Sequence, residues 1–151
     1  MATQYIAAPE VQKVAEELIN EHHVHLKGIR IEYVFVDKTP NRAGKEVWGT
    51  MRKVNALPAY LASNDDDKEN GYIEPFFVMV ISQPIWGNLT PDKKLALVDH
   101  ELCHAGIKDD KEGNPKPTII PHDLEEFTCI VKRHGLWRED VKEFAEEAKK
   151  N

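Results

Sequence analysis

The chain has 151 residues, with 20 Lys plus Arg against 26 Asp plus Glu for a net charge of −6, and 41% hydrophobic residues. Such a length and balance suit one domain, residues 1–151, with a sizeable core, and exclude a disordered, collagenous or fibrous chain. The acidic balance argues against a protein that grips phosphate backbones by itself, and no apolar run approaches the ~18 residues of a membrane span.

The opening, Met1 to Tyr5, lacks the basic and apolar regions of a secretory signal, so a cytoplasmic location is expected. Residues 9–26 read as a first helix. Pro9 suits its first turn, and Val11, Val14, Ala15, Leu18 and Ile19 fall on one face. His22 and His25 continue that stripe and His23 does not; all three read as helix-end residues rather than ligands. Ile29 to Val36 is rich in β-branched and aromatic residues and reads as a strand, followed by turn material at 39–44. A second strand is expected from about Lys45 to Val54, stopped before Pro58. The acidic stretch 64–71 lacks the alternating ligands of an EF-hand and reads as a solvated loop. Phe76 to Ile81 forms a third, continuously apolar strand, either a core strand or an edge on which an extended peptide could dock.

Thr90-Pro91-Asp92 is a helix opening, with a capping hydroxyl, proline in the first turn and an acid near the N-terminus. The helix is expected to run through Ala105 and stop at Gly106. It contains His100-Glu101-Leu102-Cys103-His104, the H-E-x-x-H pattern. Residues four apart lie above one another on a helix, so both imidazoles can reach one ion. Glu101, turned by roughly 100°, can approach a metal-activated water instead. The two cysteines, Cys103 and Cys129, sit among apolar residues and read as reduced, buried thiols, which rules out a disulfide-dense scaffold or a four-cysteine zinc module.

A catalytic zinc takes three protein ligands and a water. His122 is the favoured third ligand, expected in the first turn of a helix striped by Leu124, Phe127 and Val131, after a loop over Ile107–Pro121. Glu125 or Glu126 is the alternative third ligand. Those two acids and Asp99 are also candidates to orient ligand imidazoles. Asp110 occupies the third-ligand position of one zincin pattern, but Ile107 stands where that pattern needs glycine. Arg133, His134 and Arg138 follow the third ligand and are candidates to face a developing oxyanion. A closing helix spans about Arg138 to Lys150, with Val141, Phe144, Ala145 and Ala148 as its stripe.

Three segments together, Asp99 to His104, His122 to Phe127 and Arg133 to Trp137, resemble the phage metallopeptidase family over roughly residues 28–138. The wider architecture is similar to SprT-like minimal zincins, without the zinc ribbon or basic module that often accompanies them. The resemblance implies a zinc-dependent peptidase acting on a protein or peptide, in the host cytoplasm for a phage-encoded chain. The expected fold is α+β: an N-terminal helix, a small mixed sheet, the HExxH helix and C-terminal helices. The alternatives are a zincin-fold binding or regulatory protein with a structural Zn²⁺, and a metal-dependent hydrolase of non-peptide amides. Glu101 favours hydrolysis, because a structural site needs no general base.

Overall fold

A computed structural model describes residues 2–55, 61 and 77–151. Pro58, the acidic stretch 64–71 and the start of the third strand at Phe76 lie outside the described residues. The fold is α+β, and the chain divides into two compact units, residues 1–120 and 121–151. Among the described residues no helix is long and apolar enough to cross a membrane.

The first unit opens with strand β1 (Tyr5–Ala7), which the sequence reading did not anticipate, and helix α1 (Pro9–His22). Val11, Ala15, Leu18 and Ile19 are buried, as the stripe predicts. The helix stops four residues early. His23 leaves helical geometry at φ −128° and ψ 50°, and Val24–Leu26 form a single 3-10 turn. Beyond that break the 3.6-residue period no longer says which way a side chain points. His22 and His25 are exposed, and His23, predicted to lie off the stripe, is the buried one.

Strands β2 (Ile31–Val36), β5 (Gly49–Lys53) and β6 (Phe77–Ser82) join β1 in a sheet of order β1-β2-β6-β5. The turn material folds as a small hairpin of β3 (Asn41–Arg42) and β4 (Lys45–Glu46), closed by Ala43 and Gly44 at positive φ. β6 runs parallel to β2 and antiparallel to β5. It is hydrogen-bonded on both sides, so the docking role considered for it is overturned: its continuous apolar run marks a central strand. One sheet face carries Tyr33, Met79 and Met51 in register, beside a row of Phe35, Ile81 and Gly49. These side chains form one core with Val11, Ala15, Val98, Leu102 and Trp86.

Helix α2 (Gln83–Gly87) follows β6 directly, capped by Ser82, whose hydroxyl accepts from the Ile85 amide. Its buried Trp86 donates from Nε1 to Glu10 at 3.1 Å, and the Lys94 ammonium lies 5.1 Å from the ring. Helix α3 (Pro91–Cys103) is the HExxH helix, and Thr90 Oγ1 accepts from the Lys93 amide as its sequence predicts.

The chain then departs from expectation. The region read as a loop, Ile107–Pro121, is mostly an antiparallel hairpin of β7 (Ala105–Asp109) and β8 (Pro115–Ile119). The Ile120 amide donates to the His104 carbonyl at 2.7 Å. Alternation from there turns the Thr118 and Lys116 amides toward β7 and places Pro117 and Pro115 where no ladder donor is needed. Gly106 is required by packing, since a Cβ there would stand 2.8 Å from Ile120 Cδ1 and 2.9 Å from Thr118 Cγ2.

Asp110, weighed as a ligand by position, closes the turn instead. Its Oδ1 accepts from the amides of Glu112 at 2.8 Å and Asn114 at 2.9 Å.

The second unit contains α4 (Thr128–His134) and α5 (Glu139–Lys149). α4 begins six residues later than the predicted helix start, leaving 121–127 outside regular structure. Glu126 explains part of this. Its carboxylate accepts from the Phe127 amide at 2.9 Å and from Trp137 Nε1 at 3.2 Å, fixing the segment by local side-chain bonds that compete with a helix. Phe127 is exposed, not part of a buried stripe. In α5, Val141 is buried and Phe144 is exposed. Neither cysteine is buried: Cys103 ends α3, and α4, which holds Cys129, has no buried residue.

The Asn114 amide above all, helped by that of Glu112 and by the Lys116 ammonium, holds the Asp110 carboxyl below the usual carboxylate range. A depressed folded pKa contributes stability above the unfolded value, about 3.9, that is lost as pH falls through the folded one. Asp110→Ala is therefore expected to destabilise the protein at neutral pH, with the gap to wild type narrowing in acid. Thermal denaturation of both proteins across that range checks this, and equal stability at neutral pH contradicts it.

Candidate metal centre

Two side chains of α3 decide how the HExxH motif is presented. Val98 and Leu102, one turn apart, are completely buried and fix the side of the helix that meets the sheet. Rotation by about 100° per residue then settles the rest. Glu101 falls at the flank of the buried side and is 4% exposed. His100 falls on the far side, with its side chain 52% exposed. The His100 and His104 rings meet edge to face at a centroid distance of 5.1 Å. Glu101 Oε1 lies 3.9 Å from His100 Nε2. The two motif histidines and the glutamate are thus gathered on one patch of the first unit.

His104 is held by more than its helix. It is the C-cap residue rather than an interior one, because α3 stops at Cys103, short of the predicted Gly106. Its amide donates to the Glu101 carbonyl at 3.1 Å. Its ring Nδ1 lies 2.6 Å from the Ile120 carbonyl. A carbonyl can only accept, so Nδ1 carries the proton and Nε2 presents the lone pair, the tautomer a metal ligand needs. Ile120 therefore bonds His104 through both backbone and ring. The sequence signal for this support was faint: Gly106 and the Asp110-to-Gly113 turn, partly hidden by two prolines.

Burial pushes the Glu101 carboxyl above the ordinary carboxylate range, and the His104 imidazole partly offsets this. The room for Glu101 comes from β5. A Cβ on Gly49 would lie 2.8 Å from Ile81 Cδ1 and 3.3 Å from Glu101 Cγ.

Asp99 serves a different histidine from the ones expected. Its Oδ1 is 2.6 Å from Nε2 of His23, which is 6% exposed. His25 donates from Nε2 to the Ala105 carbonyl at 3.0 Å. The 3-10 turn after α1 thus grips α3 and its exit through two imidazoles, neither of which sequence periodicity picked out.

His122, Glu125 and Glu126 belong to the second unit. His122 is exposed in the irregular segment before α4. Both oxygens of Glu126 accept within that unit. His134 ends α4, and Arg138 pairs with Asp140 at 3.0 Å while its guanidinium lies 5.7 Å from the Trp137 ring.

A family model described as "Putative phage metallopeptidase" matches residues 3–149. The chain belongs to this family. The match takes in both units, and the activity in the family's description is that of a metal-dependent peptidase. No curated protein and no solved structure gives a match.

The close approach at Gly49 makes a test of sign. Gly→Ala on a compatible backbone usually stabilises, by about 0.4–1 kcal/mol. Here Ile81 and Glu101 must give way, and overpacking typically costs about 1–3 kcal/mol. Gly49→Ala is expected to lower the denaturant midpoint; a raised midpoint would show that Glu101 does not depend on that space.

Proposed function

We propose that the chain is a zinc-dependent peptidase in which His100, His104 and His122 hold the ion and Glu101 is the general base. The observation that carries this reading is the pairing of a buried carboxylate with two imidazoles on one helix patch, one of them locked by Ile120 with its Nε2 lone pair presented. An orienting hydrogen bond from the second ring nitrogen is what metal-ligating histidines ordinarily have. A site that only held structure together would have no use for Glu101.

His122 completes the donor set by chain reach. It is two residues beyond Ile120, whose carbonyl His104 already binds, and two residues span at most about 7 Å. Glu126 is the weaker third ligand because both its oxygens are engaged. Glu125 remains the alternative. An imidazole trio is a donor set that suits Zn²⁺.

When bound, zinc would supply Lewis-acid polarisation of a peptide carbonyl and lower the pKa of water toward ~7. The protein's own part is proton handling and positioning. Glu101, with its raised proton affinity, takes a proton from the attacking water and returns it to the leaving amine. An extended peptide would be held by strand addition along β5, which among the described residues is an edge strand and whose Gly49 approaches Glu101.

Glu101→Gln keeps shape and removes the base. It should bind zinc as wild type does and lose turnover by roughly 10²–10⁴-fold, measured as new fragments in a host-protein digest or peptide library. Equal fragment patterns from both forms remove Glu101 from the mechanism. No cleavage by zinc-loaded wild type favours the binding reading.

The third ligand is tested by zinc affinity. His122→Ala should weaken zinc far more than the roughly 10–100-fold typical of losing a supporting group, and more than Glu125→Ala or Glu126→Ala. Tight zinc in His122→Ala with loss in Glu125→Ala would transfer the role.

A further inference from the structure

α3 carries a second pair of donors with the same spacing as the HExxH histidines. Asp99 and Cys103 are four residues apart and so share a face, one residue before His100 and His104 and hence turned by about 100° from them. That flank meets the end of α1, where His23 points inward. A ring nitrogen of His23, a carboxylate oxygen of Asp99 and Sγ of Cys103 all lie within 4.8 Å of one another. We propose that these three residues form a second metal site, for a divalent cation of the zinc type, distinct from the HExxH site.

The donor chemistry selects the ion. Imidazole, carboxylate and thiolate together are a borderline-to-soft set that suits Zn²⁺ or Co²⁺ and not Mg²⁺ or Ca²⁺, which take oxygen. Three protein donors at bond lengths of about 2.0–2.3 Å need their atoms roughly 3.3–3.8 Å apart around a tetrahedral centre. His23 and Asp99, at 2.6 Å, would open slightly, and Cys103, exposed at the end of the helix, is placed to swing in. His23 needs no such movement of its backbone: the break after α1 already buries its ring against α3.

Binding balances simply. The Cys103 thiol gives its proton to solvent and its sulfur lone pair to the ion. In the metal-free chain the proton between His23 and Asp99 sits on Nε2; on binding it passes to solvent, and His23 holds the ion through Nε2 as the neutral ring with its one proton on Nδ1. Thiolate and carboxylate together neutralise the charge of a dication. The ion would tie the end of α1 to the helix that presents His100 and Glu101, as Ile120 ties His104 to the hairpin.

Cobalt separates this site from the other, because only one of the two includes a thiolate. Titrating metal-free protein with Co²⁺ should produce the near-ultraviolet thiolate-to-cobalt charge-transfer absorption. The band should vanish in Cys103→Ser, with bound cobalt falling by one per chain, and should weaken in His23→Gln. It should persist in Cys129→Ser and in His104→Ala, so a failed HExxH site leaves the result readable. Cys103 is exposed, so its serine variant is expected to fold, and circular dichroism checks that it has. No thiolate band in wild type at saturation overturns the proposal. So does a band that depends on Cys129, or one that disappears with His104→Ala.

Discussion

Everything at the candidate centre depends on which side of α3 is buried. Val98 and Leu102 are driven into the core beside Met79 and Ile81 by apolar burial, the least directional of forces. Helical geometry then turns that non-directional force into direction. With the buried side fixed, His100 must face outward, Glu101 must lie at the edge of the core, and Asp99 and Cys103 must face α1. No polar interaction is needed to choose the rotation of the helix. The polar interactions refine a placement already made: Asp99 with His23, and His104 with Ile120.

The end of the helix matters as much as its rotation. Were α3 to continue to Gly106, the His104 carbonyl would look for a partner further along the helix. Instead the chain turns into β7 at Ala105, and that carbonyl accepts from Ile120. His104 then belongs to two elements at once, a helix through its amide and a hairpin through its carbonyl and ring. A side chain at such a junction has little freedom to drift, the preorganisation that the proposed metal-ligand role of His104 would require. Among the described residues that hairpin is a two-stranded pair, and the two prolines of β8 leave its outer edge short of two donors.

Periodic signals were legible in the sequence and punctuated ones were not. The stripe of α1, the strand at Ile31–Val36 and the cap at Thr90 follow from local rules that packing did not override. Glu101 and the paired histidines follow from spacing alone once the helix is granted. The hairpin after His104 was hidden because Pro115 and Pro117 look like loop residues unless their alternation is set against a partner strand. The late start of α4 was hidden because the Glu126 carboxylate binds a backbone amide and an indole that no linear pattern connects. His23 was misassigned because a helical period was carried past the residue where the helix ends. Strand β6 shows the same limit from the other side: its composition announced cover on both faces, but only the register with β2 and β5 made it central.

The burial of Glu101 carries an energetic consequence for the metal-free chain. A carboxylate removed from water disfavours its charged form, which is why burial raises its proton affinity. Nothing apolar at that position would incur this cost, and the glycine opposite it on β5 gives up packing to make the space. A fold selected for stability alone would place an apolar side chain at position 101. The arrangement becomes favourable when a cation stands near the imidazoles, because a positive charge close to the carboxylate favours its ionised form. On the proposed reading, metal affinity and the protonation of Glu101 are linked: a proton on Glu101 would oppose the ion, and an ion held by the imidazoles would return Glu101 toward its ionised state.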